Sequence, residues 1–154
     1  MKRNFFFNLL VGTNNPGKLR EIKHLLPSRL RIYSPKKFKL KSPKENGKSF
    51  KENSLIKARF FSNKADMVCL ADDSGLEIDL LNKNPGIFSS RWAGAKGNFD
   101  IAIKKVFKEL SKKNKNWQNK RVKARFVCAL SIYWPGGQNI SRVGKIEGLI
   151  SCKK

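Results

Sequence analysis

The stretch Met67-Val68-Cys69-Leu70-Ala71-Asp72-Asp73-Ser74-Gly75-Leu76 constrains this chain more than any other. Five residues of apolar run lead straight into two adjacent carboxylates, and a Ser-Gly pair follows before alternation resumes at Leu76, Ile78 and Leu80. The pattern predicts a buried strand, a sharp turn and a second strand. Only 11 acidic residues occur among 154, so two side by side at the end of an apolar strand serve something other than solubility. Successive side chains of an extended chain point to opposite faces, which gives Asp72 and Asp73 separate roles. One can turn into a cleft while the other fixes the turn. Hard oxygen donors of this kind suit Mg2+, which is usually held by one or two carboxylates together with substrate phosphates. An Asx-turn, in which each Asp bonds its own backbone, is the competing reading.

Phe5 to Gly12 reads as the first strand. Lys2-Arg3 ahead of it imitates a secretory leader, but Asn4 and Asn8 dilute the apolar run and Gly12-Thr13-Asn14-Asn15 is a poor cleavage site. The strand enters Thr13-Asn14-Asn15-Pro16-Gly17-Lys18, after which Leu19, Ile22, Leu25 and Leu26 recur at helical spacing up to Pro27. Free N–H groups at a helix start facing such a loop make an anion site, with Lys18 adding a mobile positive charge. A plain turn with an exposed lysine is the alternative, and the G-x-x-x-x-G-K-[ST] spacing of a P-loop is absent.

Leu30 to Ser34 fits a short strand, and residues 35–48, PKKFKLKSPKENGK, form a polar basic loop. Its only acid, Glu45, is either a metal ligand or a partner for neighbouring lysines. Ser49-Phe50-Lys51-Glu52 fits a capping box, opening a helix to about Ala65 with Leu55, Ala58, Ser62 and Ala65 on one side. Asn53 faces either a ligand or solvent. Beyond the acidic turn, Asn84-Pro85-Gly86 marks another turn, and Arg91 beside Trp92 offers a cation and a flat aromatic suited to a purine, or simply a packed Trp and a surface Arg. Asn98 to Leu110 is an amphipathic helix with Phe99, Ala102, Ile103, Val106 and Leu110 inward, followed by a basic linker. Arg125 to Trp134, the turn Pro135-Gly136-Gly137 and a partner strand to about Ile150 predict a hairpin. The order β, α, β, α, β, β, α, β, β indicates an α/β protein with a mixed, twisted β-sheet and flanking helices, as a single domain over residues 1–154.

The formal net charge of +23 invites a polyanion partner. Lysine, however, makes up most of the 34 basic residues and is scattered over the whole length, whereas arginine is the usual residue of bidentate recognition. Specific nucleic-acid binding is therefore not expected. Cys69, Cys128 and Cys152 lack metal-site spacing and indicate a reduced, cytoplasmic protein. No apolar stretch approaches the ~18 residues of a membrane span.

Taken in order, these pieces resemble the inosine triphosphate pyrophosphatase family. The matching segments are Thr13 to Ile22, Glu45-Asn46-Gly47, Ser49 to Arg59, Ala71 to Asp79, Pro85 to Gly94, Ala124-Arg125-Phe126 and Gly144 to Gly148. The resemblance implies hydrolysis of non-standard purine nucleoside triphosphates (ITP, dITP, XTP) to monophosphate and pyrophosphate. It implies that Thr13, Asn14, Asn15, Pro16, Gly17 and Lys18 hold the triphosphate and that Ser74 touches the substrate. Glu45 and Asp73 would ligate Mg2+, and Asp73 would also accept the proton of the attacking water. A sheet with two lobes around a nucleotide cleft and a homodimer are further implications. Family members continue past the hairpin with Phe-Gly-Tyr-Asp-Pro and Ser-His-Arg segments that this sequence lacks, and its single histidine, His24, lies in the first helix. A domain incomplete at its C-terminus is the resulting expectation. Its alternatives are a catalytically inactive family member and a basic polyanion-binding protein on the same fold.

Overall fold

The computed structural model describes residues 7–94 and 97–152. Phe5 and Phe6, expected at the head of the first strand, lie outside the described residues. Five strands, β1 (Phe7–Val11), β2 (Leu30–Tyr33), β3 (Cys69–Ile78), β4 (Lys123–Tyr133) and β5 (Asn139–Leu149), form one sheet in the order β2-β1-β3-β4-β5. β1 runs parallel to β2, with Leu9 opposite Ile32, and parallel to β3, with Leu10 opposite Cys69. The helices are α1 (Pro16–Leu25), α2 (Phe50–Ala65), α3 (Ser89–Trp92) and α4 (Phe99–Lys113). α1 links the parallel neighbours β1 and β2, and α2 carries the chain from β2 past β1 to β3, both as helical crossovers. The hairpin of β4 and β5 makes the sheet mixed, as expected. Its turn is closed by Gly137 N–H donating to the Trp134 carbonyl at 2.9 Å.

The turn expected after the acidic pair is corrected. Cys69–Ile78 is a single strand of 10 residues, with no turn at Ser74-Gly75. Gly75 has no positive φ, and the chain leaves the strand only in a single 3-10 turn at Asp79–Leu81, followed by Asn82 and Lys83 with φ values of 51° and 64°. A lone Ser-Gly pair permits a turn, but apolar alternation continuing through Leu76 and Ile78 favours extension.

The chain folds as two compact units. The first comprises Met1–Asp73 and Ala129–Arg142. Leu10, Phe61 and Cys69 form its core, with Tyr33, Phe38 and Phe60 packed against them. The buried face of α2 carries Phe50, Asn53, Ser54, Ala58, Phe61 and Ser62. Ala58 and Ser62 were expected there, whereas Leu55 and Ala65 are half-buried. The face is rotated because burying two Phe rings, each about 1.5–3 kcal/mol, outweighs one Leu and one Ala. Gly12 follows β1 where no side chain fits, since a Cβ would lie 2.9 Å from Cys69 Sγ and 2.9 Å from Phe61 Cδ2. A row of hydroxyls also crosses this unit: Ser54 Oγ donates to the Lys51 carbonyl at 2.9 Å, lies 2.7 Å from Ser131 Oγ, and that atom lies 2.7 Å from Ser141 Oγ.

The second unit comprises Ser74–Cys128 and Val143–Lys154. Ile78, Leu81, Val106, Leu110, Trp117, Val122 and Ala124 form its core. Asn98 caps α4 by accepting from Asp100 N–H at 2.9 Å, and Val106 and Leu110 point inward as predicted. Phe99, also expected inward, is 69% exposed, because it stands in the first turn beside an apolar cavity of about 680 Å³ that it helps to line. Arg125 on β4 pins this unit: Nε lies 2.8 Å from Glu147 Oε1 on β5, and one terminal nitrogen lies 2.8 Å from Asp79 and 3.4 Å from Glu77. No helix among the described residues is long and apolar enough to cross a membrane.

Candidate active site

The polar loop after β1 is built around Asn15. Asn is a favoured N-cap and Pro a favoured first helical residue, and this pair starts α1. Asn15 Oδ1 accepts from Gly17 N–H at 2.9 Å and Lys18 N–H at 3.3 Å, while Leu19 N–H donates to the Asn15 carbonyl at 3.0 Å. Pro16 has no N–H. The helix-start amides expected to face an anion are thus occupied by the cap residue, leaving side chains to supply the attraction. Asn14 reaches away from α1, its amide donating to Ser42 Oγ at 2.9 Å and to the Leu40 carbonyl at 3.4 Å. That pair of bonds fastens the basic loop 35–48 to the loop after β1. Thr13, Asn14, Asn15 and Pro16 line a cavity of about 810 Å³ in the first unit.

Lys18 turns from that cavity toward the end of β3, where Nζ lies 2.5 Å from Asp72 Oδ2. Asp72 is buried, so its charge is held by a direct cation partner, as buried charges generally must be. Its neighbour Asp73 takes different partners, in keeping with alternation along a strand. Lys57 Nζ lies 3.7 Å from Asp73 Oδ1 and 3.1 Å from Glu45 Oε1, so one ammonium draws both carboxylates together.

Asn53, one helical turn before Lys57, completes the cluster. Its side chain is buried and hydrogen-bonds Asp73, while its Oδ1 accepts from Gly47 N–H at 2.8 Å. Only glycine permits this approach, since a Cβ on Gly47 would sit 2.6 Å from that oxygen. The capping box forms with a shift: Ser49 Oγ accepts from Glu52 N–H at 3.1 Å, and Glu52 accepts from Lys48 N–H at 2.7 Å.

Burial pushes the Asp73 carboxyl above the ordinary aspartate range; Lys57 opposes the shift, and the nearby Glu45 charge adds to it. Asp73 Oδ2 is buried and accepts no hydrogen bond. An orphaned carboxylate oxygen of this kind is costly and asks for a proton, an ion or a ligand. Among the described residues no three His, Cys, Asp or Glu side chains converge as a metal cage. The site therefore offers a hard cation two carboxylates, Glu45 and Asp73, a donor set that fits an ion completing its shell with phosphate and water.

The remaining expected site residue, Ser74, belongs to the second unit, where it lines the apolar cavity. Trp92 lines the same cavity, and Lys105 Nζ lies 4.6 Å from the centre of its ring. The Arg91 guanidinium sits 4.8 Å from the Phe88 ring centre. Lys57 was not singled out by the sequence reading. Its one local signal is a spacing of four residues from Asn53, which puts both on one helix face.

The Ham1 family model matches residues 9–154. A dITP/XTP pyrophosphatase of Zymomonas mobilis is 46% identical over 141 residues, covering 91% of this chain and 66% of that protein. One of Caulobacter vibrioides is 37% identical over 142 residues, covering 92% of this chain and 71% of that protein. The chain thus spans about two thirds of the length of the first of these relatives. The solved HAM1 protein of Coxiella burnetii superposes with a TM-score of 0.82 at 31% identity, covering 94% of this chain and 73% of that one. Sequence and fold agree over nearly the whole chain, which belongs to the Ham1 family.

Proposed function

We propose that the protein hydrolyses non-standard purine nucleoside triphosphates, ITP, dITP and XTP, to the nucleoside monophosphate and pyrophosphate. The observation that carries this reading is the meeting of Asp73 and Glu45 at Lys57, with an unpartnered buried oxygen on Asp73. The substrate class follows the activity printed in the names of the relatives.

In this reading Thr13 to Lys18 and Ser74 bind the substrate, and the ammonium groups of Lys18 and Lys57 offset the charge of the phosphates. Water attacks the α-phosphorus, the bond to the bridging oxygen breaks, and pyrophosphate leaves. Asp73 takes the proton of that water, a role that suits a carboxyl whose proton affinity is raised by burial. Asn53 holds the Asp73 carboxylate in orientation. Glu45 and Asp73 would hold Mg2+, which supplies neutralisation of charge on the phosphoryl oxygens. The protein is further taken to be a homodimer, as the family resemblance implies, and cytoplasmic, as its cysteine usage indicates.

Pyrophosphate release from ITP, with and without Mg2+, beside an Asp73→Asn variant tests the proposal. Metal-dependent release that falls by about 100-fold or more in the variant is expected. No release from a folded chain would overturn it.

A further inference from the structure

The apolar hollow of about 680 Å³ in the second unit is used by the proposed chemistry only at Ser74. Four large side chains on its wall are exposed: Phe99 at the start of α4, Phe126 on β4, and Ile146 and Leu149 on β5. Phe126 is 65% exposed and Ile146 75%. Single exposed apolar residues are ordinary, but four around one hollow make the contiguous kind of patch that marks an interaction surface.

Charge narrows what can cover it. The chain carries a formal net charge of +23, so two copies repel wherever lysine-bearing faces meet. This face differs. Arg125 is the only charged side chain in the lining, and Glu77, Asp79 and Glu147, three of the 11 acids of the chain, gather on it. One further cation, Lys105, stands against the wall, its Nζ 4.6 Å from the centre of the Trp92 ring. With its lining arginine neutralised, the hollow gives a polyanion little hold and lets a like copy approach. Shape points the same way. A bilayer does not fill a hollow of this size, whereas a surface that carries both a hollow and projecting rings, Phe99 and Phe126, is complementary to itself. Self-complementarity is what a two-fold contact between identical copies requires.

We infer that the hollow bordered by Phe99, Phe126, Ile146 and Leu149 is the surface on which a second copy of this chain docks, the rings of each copy entering the hollow of the other. The inference rests on the homodimer of the proposed reading, to which it gives a surface, and not on the chemistry at Asp73.

Sedimentation equilibrium of the full chain from about 1 to 100 µM tests it, a range in which a specific interface of ordinary size holds. The parent is expected to be a dimer that tightens as NaCl rises from about 50 to 500 mM, because screening relieves the net repulsion. Phe126→Lys with Ile146→Lys sets like charges face to face and should weaken association by about 100-fold or more. Phe7→Lys with Leu25→Lys adds the same charge at exposed apolar positions of the first unit and should leave association unchanged. If circular dichroism shows the first pair unfolded, Phe126→Ala with Ile146→Ala takes its place, with an expected weakening of about tenfold. A dimer that survives in the first pair puts the homodimer on another face and overturns the inference alone. A parent that stays monomeric throughout overturns the homodimer with it and leaves hydrolysis to be judged by pyrophosphate release. Equal weakening in both pairs would mean bulk charge, and a monomer whose binding to phosphatidylserine vesicles is lost in the first pair would make the face a membrane contact; either overturns the inference.

Discussion

The Lys57 ammonium lies 3.1 Å from Glu45 Oε1 and reaches Asp73 from the same position, so one cation holds two like charges side by side. Lys57→Met removes the largest influence that lowers the Asp73 proton affinity while leaving Glu45 nearby. Asp73 then stays protonated to higher pH. Turnover of ITP should fall by about 100- to 1000-fold, as for loss of a charge-stabilising group, and in the metal-free protein the titration of Asp73, followed by NMR, should move upward in pH. An Asp73 titration that does not move would show that Lys57 does not act through Asp73.

Asp73 also bears on stability. Its folded-state proton affinity is raised above that of the unfolded chain, so its contribution is most favourable below the ordinary value of 3.8 and is lost as pH rises through the folded value. Near neutral pH the protein therefore carries a buried charge that it would be more stable without. Asp73→Asn should raise the melting temperature at about pH 7 and raise it less at about pH 4, while abolishing turnover. Melting curves by circular dichroism at the two pH values provide the check.

Gly12→Ala should destabilise the first unit by about 1–3 kcal/mol, since the added methyl meets Cys69 Sγ and Phe61 Cδ2 at 2.9 Å and Ala71 Cβ at 3.1 Å. All three neighbours are buried, with little room to give. A loss of about 2–4 °C per kcal/mol is the expected reading in thermal melts. An unchanged melting temperature would mean that the β1 end relaxes freely.

Arg125→Met leaves Glu77, Asp79 and Glu147 without their shared cation. Hydrogen bonding to Arg125 holds the Asp79 carboxyl below its ordinary range, so its stabilisation is present above the unfolded value and lost as pH falls through the folded one. The variant should melt lower than the parent at neutral pH, with the gap closing in acid. A gap independent of pH would point to lost packing of the arginine stem instead.

Parts of this arrangement were legible in the sequence for identifiable reasons. Acids are scarce, so Glu45, Asp72 and Asp73 stood out, and alternation along a strand correctly separated the partners of the last two. Lys57 was hidden because a lysine among many carries no composition signal, and only its register with Asn53 distinguishes it. Asn15 misled in an instructive way. The loop read as an anion cradle with open amides, yet the cap and the following proline that announce a helix start also consume those amides. Ser74-Gly75 carried turn residues inside a strand whose apolar alternation decided the outcome. The rotated face of α2 reflects ring size, which spacing alone does not weigh.

The hydroxyls of Ser54, Ser131 and Ser141 carry a consequence for how α2 is addressed. Ser54 gives its one proton to the Lys51 carbonyl, so it must receive from Ser131, which in turn must receive from Ser141. The row has a single polarity, running from a surface strand inward to the first turn of the helix that bears Asn53 and Lys57. A residue at position 141 able only to accept would turn that polarity against itself. The first turn of the helix that bears Asn53 and Lys57 is in this sense tied to β4 and β5 by protons that all run one way.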